Sequence, residues 1–256
     1  VLIGDSLMKQ WFDALACYLT GAIIPNNCCN ADSQDWDILE TKIKKLGDYG
    51  LPTDYKRGKG AFRFSRMLLP DVKAEIRIYG SHNFGPHQSD GLLAMHARYK
   101  EEKADLVIIN QGVHFNNKSN ANNDLQSDLE GHLANCKKHR LNCVLRESTP
   151  QHFWYANMTL QSGLYSSTDH TRECLGSTYN ESEEFYYDNV AEWRIEAQHA
   201  ALANVGLPDN VMPVWEAMMP LTYAHPKGDC THFKYNTEYW EPWHAAFFGL
   251  VEKLWY

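Results

Sequence analysis

Val1-Leu2-Ile3-Gly4-Asp5-Ser6-Leu7 is the stretch on which the reading of this chain turns. Three apolar residues in a row suit a strand buried on both faces, as the strands of a parallel sheet are. Gly4-Asp5-Ser6 ends the run. From Ser6 to Tyr18 a helix is expected, with Leu7, Trp11, Leu15 and Tyr18 on one side. Val1-Leu2-Ile3 reads as the interior of a strand rather than a natural start. A further segment, with any targeting signal, is therefore expected upstream.

Working outward from that unit, Ala74 to Gly80, Asp105 to Gln111, Asn142 to Glu147 and Asn210 to Trp215 join Val1 to Asp5 as expected strands, several of them apolar on both faces. Helical patterns lie between them. Asp124 to Lys138 spaces Leu125, Leu129 and Leu133 four apart, and Tyr187 to Asn204 puts Val190, Trp193, Ala197 and Ala201 on one stripe. A last helix starts near Tyr239 and carries Trp243, Phe247, Leu250 and Leu254. Such alternation predicts one α/β domain over residues 1–256: a doubly wound, mostly parallel sheet with helices on both faces and right-handed crossovers. Ligands of such sheets bind beyond the carboxyl ends of the strands.

Composition narrows the function. With 44% hydrophobic and 22% charged residues, the 256-residue chain has enough apolar material for a packed core. The net charge of −8 and the lack of any long Lys/Arg run argue against a nucleic-acid partner; Lys42, Lys44 and Lys45 read as a solvated helix face. No apolar run approaches the ~20 residues of a bilayer span. Seven cysteines (17, 28, 29, 136, 143, 174 and 230) show no zinc-ligand spacing, so no metal is expected. Together with N-x-S/T sequons at Asn117, Asn157 and Asn180, they point to a secretory compartment with disulfides.

The chemistry concentrates in a few places. Ser6 opens a helix, where free N–H groups and the positive end of the dipole stabilise a developing oxyanion. Asp5 or Ser6 serving simply as a helix cap is the competing reading. Asp229-Cys230-Thr231-His232 lies just before the last helix. His232 is the candidate base for a serine hydroxyl, with Asp229 fixing its tautomer; Asp229 as a helix cap and His232 as one of 12 ordinary histidines is the alternative. Asn110-Gln111-Gly112-Val113-His114-Phe115 follows the third expected strand. There the Gly112 amide and the Asn110 side chain are candidate oxyanion donors beside the Ser6 amide, or else parts of a polar turn. Arg146 follows the fourth strand and suits a carboxylate, sugar hydroxyls or a nearby acid. Trp154, Tyr155, Trp240 and Trp243 suit stacking on sugars or burial in the core.

In their order these blocks resemble the plant trichome-birefringence-like proteins and their PC-esterase relatives. Val1 to Leu7, continuing through Gln10-Trp11 to Cys17, is similar to that family's opening Gly-Asp-Ser block. Asn110 to Phe115 is similar to its Asn-Thr-Gly-His-Trp-Trp block, and Arg146 to Phe153 to its Arg-Thr-x-Ser-Pro-x-His-Phe block. Ala224-His225-Pro226 and Asp229 to Phe233 resemble its closing His-Pro and Asp-Cys-Ser-His-Trp blocks. The resemblance implies an SGNH-like α/β/α domain in the Golgi lumen, behind an N-terminal membrane anchor. It implies acetyl transfer onto glycan hydroxyls through an acetyl-serine, with Ser6, Asp229 and His232 as triad. It also implies a Cys174–Cys230 disulfide, and a partner for Cys17 upstream or at Cys28 or Cys29. Arg146, His225 and His114 are expected to face the acceptor sugar. Lys234 stands where the family often has cysteine, and Tyr235-Asn236-Thr237-Glu238 replaces its Pro-Gly-Pro-Asp, so the acceptor sugar does not transfer from plant relatives. No cofactor is implied beyond an acetyl donor. An acetylesterase with the same triad and a non-catalytic carbohydrate-binding domain stand beside the transferase as alternatives.

Overall fold

The computed structural model describes residues 1–19, 63–69, 73–81, 84–100, 103–115, 118–153, 174, 192–226 and 229–255. The expected strand–helix alternation is there. In chain order the elements are β1 (Leu2–Gly4), α1 (Ser6–Leu19), β2 (Arg63–Leu69), β3 (Ala74–Gly80), α2 (Pro86–Arg98), β4 (Val107–Ile109), α3 (Lys118–His139), β5 (Cys143–Arg146), α4 (Trp193–Val205), β6 (Val211–Met212), α5 (Trp215–Met218), a 3-10 turn at Thr222–Ala224, and α6 (Thr237–Trp255). They build a six-stranded sheet in the order β2-β3-β1-β4-β5-β6. Every pairing is parallel except β2 with β3.

Two of the longer elements carry no sequence signal strong enough to be expected, and the short α5 opens at Trp215, where a strand was expected to end. β2 reads Arg-Phe-Ser-Arg-Met-Leu-Leu and lies at the edge of the sheet, where its mixed polarity is tolerated. α2 is started by Pro86 at its first turn, with the Gln88 side chain accepting the Gly85 N–H at 3.0 Å, but its apolar stripe is thin.

The strands alternate their side chains between two cores. Leu2, Ile78, Ile108, Val144 and Met212 point to one face, where α1 and α6 pack Leu7, Trp11, Leu15, Trp240 and Trp243. Ile3, Val107, Ile109 and Cys143 point to the other, against Leu93 of α2 and Cys136 of α3. Leu145 meets Leu125, Leu129 and Leu133 of α3 together with Trp193, Ala197 and Ala201 of α4. The expected apolar stripes therefore hold, with two exceptions at their ends: Tyr18 is 51% and Leu254 42% exposed. Val190 lies outside the described residues. A disulfide joins Cys136 to Cys143, closing the turn between α3 and β5. A second joins Cys174 to Cys230, the pairing that the resemblance implied. Cys17, Cys28 and Cys29, the three sequons, the Lys42 cluster, Trp154 and Tyr155 lie outside the residues whose side chains are described. Among the described residues no helix is long and apolar enough to cross a membrane.

Candidate active site

β1 sits between β3 and β4, so the turns after β1 and β4 lie side by side at the carboxyl edge. Their approach is close. A Cβ on Gly4 would come within 2.8 Å of Met8 Cβ and 3.0 Å of the Asn110 carbonyl, which requires glycine at that turn. Asp5 then caps α1. Its Oδ1 accepts the N–H groups of Leu7 at 3.0 Å and Met8 at 3.4 Å, and its carbonyl accepts that of Lys9 at 3.2 Å. The cap reading is thus right for Asp5 and not for Ser6. The amide of Ser6 is the first-turn donor left over, engaged by no acceptor among the described residues.

Residues 226 apart in the chain meet here. The Ser6 hydroxyl lies 2.8 Å from His232 Nε2. On the other side of the ring, His232 Nδ1 donates to Asp229 Oδ2 at 2.7 Å. With Nδ1 as donor, Nε2 is the lone-pair nitrogen that faces the hydroxyl. Asp229 Oδ1 accepts the backbone N–H of Thr231 at 2.9 Å and of His232 at 3.0 Å. Burial pushes the Asp229 carboxyl up, but the His232 ring and these two amides outweigh it and hold the group well below the usual carboxylate range. Asp229 is therefore ionised at neutral pH. The side chains of both His232 and Asp229 are 24% exposed, so the ring can be reached from solvent.

Gly112 follows β4 on the same edge. A Cβ there would fall 2.1 Å from Ser148 Oγ, so glycine is again required for the approach of the β5 turn. The turn is braced by Gln198, which donates from Nε2 to the Gln111 carbonyl at 2.9 Å and accepts the Ser148 N–H on Oε1 at 2.9 Å. The Gly112 amide has no acceptor among the described residues. Asn110 is buried, and its Nδ2 donates to the Arg146 carbonyl at 3.1 Å. Part of its donor capacity is thus already used by the β5 turn.

Two of the residues expected to face a sugar do not. Arg146 is fully buried; its guanidinium lies 4.2 Å over the Trp243 ring, and Nη1 donates to the Glu147 carbonyl at 3.0 Å. Burial lowers it to about 10 against the opposing pull of Asp5 and Glu147, so it stays cationic and acts inside the core. His225 is also buried, its ring stacked on Phe233, and its Nδ1 donates to the His232 carbonyl at 2.6 Å. Its Nε2 meets His152 Nδ1, and His152 Nε2 donates to the Met219 carbonyl at 3.1 Å. Burial holds His225 at about 4 and His152 well below the ordinary histidine range. Three links need three ring protons and two neutral rings carry two, so at neutral pH one link of this relay has no proton. Trp240 and Trp243 belong to the α1–α6 core and offer no face to a sugar. His114 is exposed, on the same loop as Gly112.

Sequence reasoning missed Arg194. It is buried on α4 and holds two loops at once. Nη2 donates to the Phe115 carbonyl at 2.8 Å, and Nη1 to Gln151 Oε1, while Gln151 Nε2 donates to Thr231 Oγ1 at 2.8 Å. Burial lowers Arg194 to about 9, with Asp5 acting against it. A lone arginine on an amphipathic helix reads as a surface residue, so nothing nearby in sequence marks it. Among the described residues no group of His, Cys, Asp and Glu is placed to hold a metal ion. No family model matches the chain, and comparison with curated proteins gives no match.

Proposed function

We propose that this chain is a serine-dependent acyltransferase of the PC-esterase kind, with the three-layer SGNH-like arrangement, moving acetyl groups onto hydroxyls of a glycan in the Golgi lumen. The observation that carries the reading is the unbroken hydrogen-bond line from Ser6 Oγ through both nitrogens of His232 to an ionised Asp229. The two disulfides fit a secretory location.

The steps follow from that line. His232 Nε2 takes the Ser6 proton as Oγ bonds to the carbonyl carbon of an acetyl ester. The carbonyl oxygen becomes an oxyanion, for which the Ser6 and Gly112 amides are the donors. The C–O bond to the leaving alkoxide breaks, and His232 returns the proton to it. Acetyl-Ser6 remains. A sugar hydroxyl then gives its proton to His232 and attacks the same carbon, and collapse restores the Ser6 hydroxyl. Asp229 holds the ring and balances the imidazolium charge in both halves.

The test is a peptide map after exposure to an acetylated donor. An acetyl group on the peptide containing Ser6, absent in Ser6→Ala, is expected. Adding a sugar acceptor should then give an acetylated sugar; free acetate alone would convert the reading to an esterase. A folded protein that neither acetylates nor reacts with a fluorophosphonate at Ser6 would sink catalysis by this triad.

A further inference from the structure

We infer that Gln10 is a positioning residue that sets the reach of His232 to Ser6 by clamping the backbone of Phe233. The inference rests on the reading of Ser6 as nucleophile and His232 as base.

Gln10 is fully buried and lies one helical turn after Ser6 on α1. Its Nε2 donates to the Phe233 carbonyl, and its Oε1 accepts the Phe233 N–H at 3.1 Å. A primary amide thus reproduces the paired bonds that a neighbouring strand would make, across 223 residues of chain. Phe233 is the next residue after His232. On the other side, Asp229 Oδ1 takes the His232 N–H and His225 Nδ1 donates to the His232 carbonyl. All four backbone polar groups of residues 232 and 233 are therefore held by side chains.

These clamps differ in where they are anchored. Asp229 and His225 belong to the same loop assembly. The Cys174–Cys230 bridge and the bond from His152 N to the Cys230 carbonyl anchor that loop to the segment after β5. Gln10 instead belongs to the nucleophile's own helix. Ser6, one rigid turn of helix, Gln10, Phe233 and His232 close a ring whose last link is the 2.8 Å contact from Nε2 to Oγ. Opening the ring at Gln10 leaves the base fixed to the β5 side of the molecule and the nucleophile to α1, with side-chain packing between them. Misplacement by about 1 Å costs a reaction about 10²-fold.

Three forms of the whole chain test this: wild type, Gln10→Met and Gln10→Glu, with Ser6→Ala as blank. Turnover of an activated acetate ester gives kcat and KM from about pH 6 to about pH 8, and thermal melts give stability. Gln10→Met should lower kcat about 10²-fold with KM within about threefold of wild type. Gln10→Glu should be as poor near pH 8, where an anion faces the Phe233 carbonyl. Its activity relative to wild type should climb as the pH falls, because a protonated carboxyl donates to that carbonyl as the amide does. A merely packed side chain would give that pH course in the melting temperature and leave kcat of the folded protein unchanged. A kcat within about threefold of wild type for Gln10→Met or Gln10→Glu at every pH, whatever the melting temperature, would overturn the inference. If Gln10→Met does not fold, the pH course of Gln10→Glu decides. If wild type turns over no ester and Ser6 stays unlabelled, acyl transfer itself has failed. Gln10 is then judged by the His232 Nε2 resonance, which faces Ser6: if Ser6→Ala shifts it in the wild-type background and not in the Gln10 variants, the clamp is supported, and an equal shift in both backgrounds overturns it.

Discussion

Among the described residues, two serine–histidine contacts of nearly equal length invite comparison. Ser6 Oγ meets His232 Nε2 at 2.8 Å, and Ser89 Oγ meets His132 Nδ1 at 2.7 Å. The far nitrogen of His132 lies 3.0 Å from Gln111 Oε1, so a third residue completes each line. The differences lie in that third residue and in access. His232 is backed by an ionised carboxylate, and its ring is partly open to solvent. His132 is backed by a neutral amide and, like Ser89, is fully buried. Burial holds it at about 4, so it neither gains a proton at neutral pH nor meets a substrate. One line is equipped to store a transient positive charge; the other is a strut between α2, α3 and the turn before Gly112. A short Ser–His distance is therefore no evidence of catalysis unless charge compensation and exposure accompany it.

The largest effect that would break this contrast is on turnover. Ser6→Ala should lower kcat about 10⁶-fold with the melting temperature within a few degrees, whereas Ser89→Ala should leave kcat within about threefold. Equal losses would erase the distinction. Asp229→Asn should cost about 10⁴-fold in kcat, because the wrong tautomer is then favoured and the imidazolium loses its counter-charge. A near-wild-type rate in that variant would show that the third residue does not matter after all.

Smaller effects concern stability. Serine at both Cys174 and Cys230 should remove about 4 kcal/mol of unfolding free energy, since 56 residues separate the bridged positions. Urea midpoints of the oxidised protein and the double variant measure it. His132 comes next. Its folded value near 4 lies below the unfolded value of about 6.5, so the unfolded chain binds the extra proton between the two. Its contribution is whole above about pH 6.5 and is lost on acidification toward about pH 4, roughly 3 kcal/mol in all. His96 and His244, also held at about 4 by burial, act in the same direction. Stability measured against pH should fall through this window, and His132→Gln should flatten the slope by one proton. Ser89→Ala is the mildest change, about 1–2 kcal/mol for leaving a buried ring nitrogen without its partner.

How much of this was legible beforehand depends on the kind of residue. Apolar periodicity located β1, β3, β4, β5 and β6 together with α1, α3, α4 and α6, because burying a stripe leaves its period in the sequence. It failed for β2, an edge strand with two arginines, and for α2, whose Gly91 and polar run dilute the stripe. Ser6, Asp229 and His232 stood out because they cluster at element ends in recognisable blocks. Gln10 and Gln111 lay inside such blocks with no role assigned to them, and His132 and Arg194 lay outside any. Each is a single polar residue in an otherwise ordinary helix or turn, and its role exists only once distant backbone arrives. Arg146 and His225 show the converse error. Their positions beside the site were readable, but whether a side chain turns outward or inward is decided by packing, here Trp243 and Phe233.

The pairing of Ser6 with a residue 226 positions later has a consequence during synthesis. A ribosome adding about 5–20 residues per second takes roughly 10–45 s to travel from one to the other. Through that interval the emerging chain carries the Ser6 hydroxyl without its histidine partner. The contact between them thus belongs to the finished fold alone, and a chain that stops short of His232 lacks it altogether.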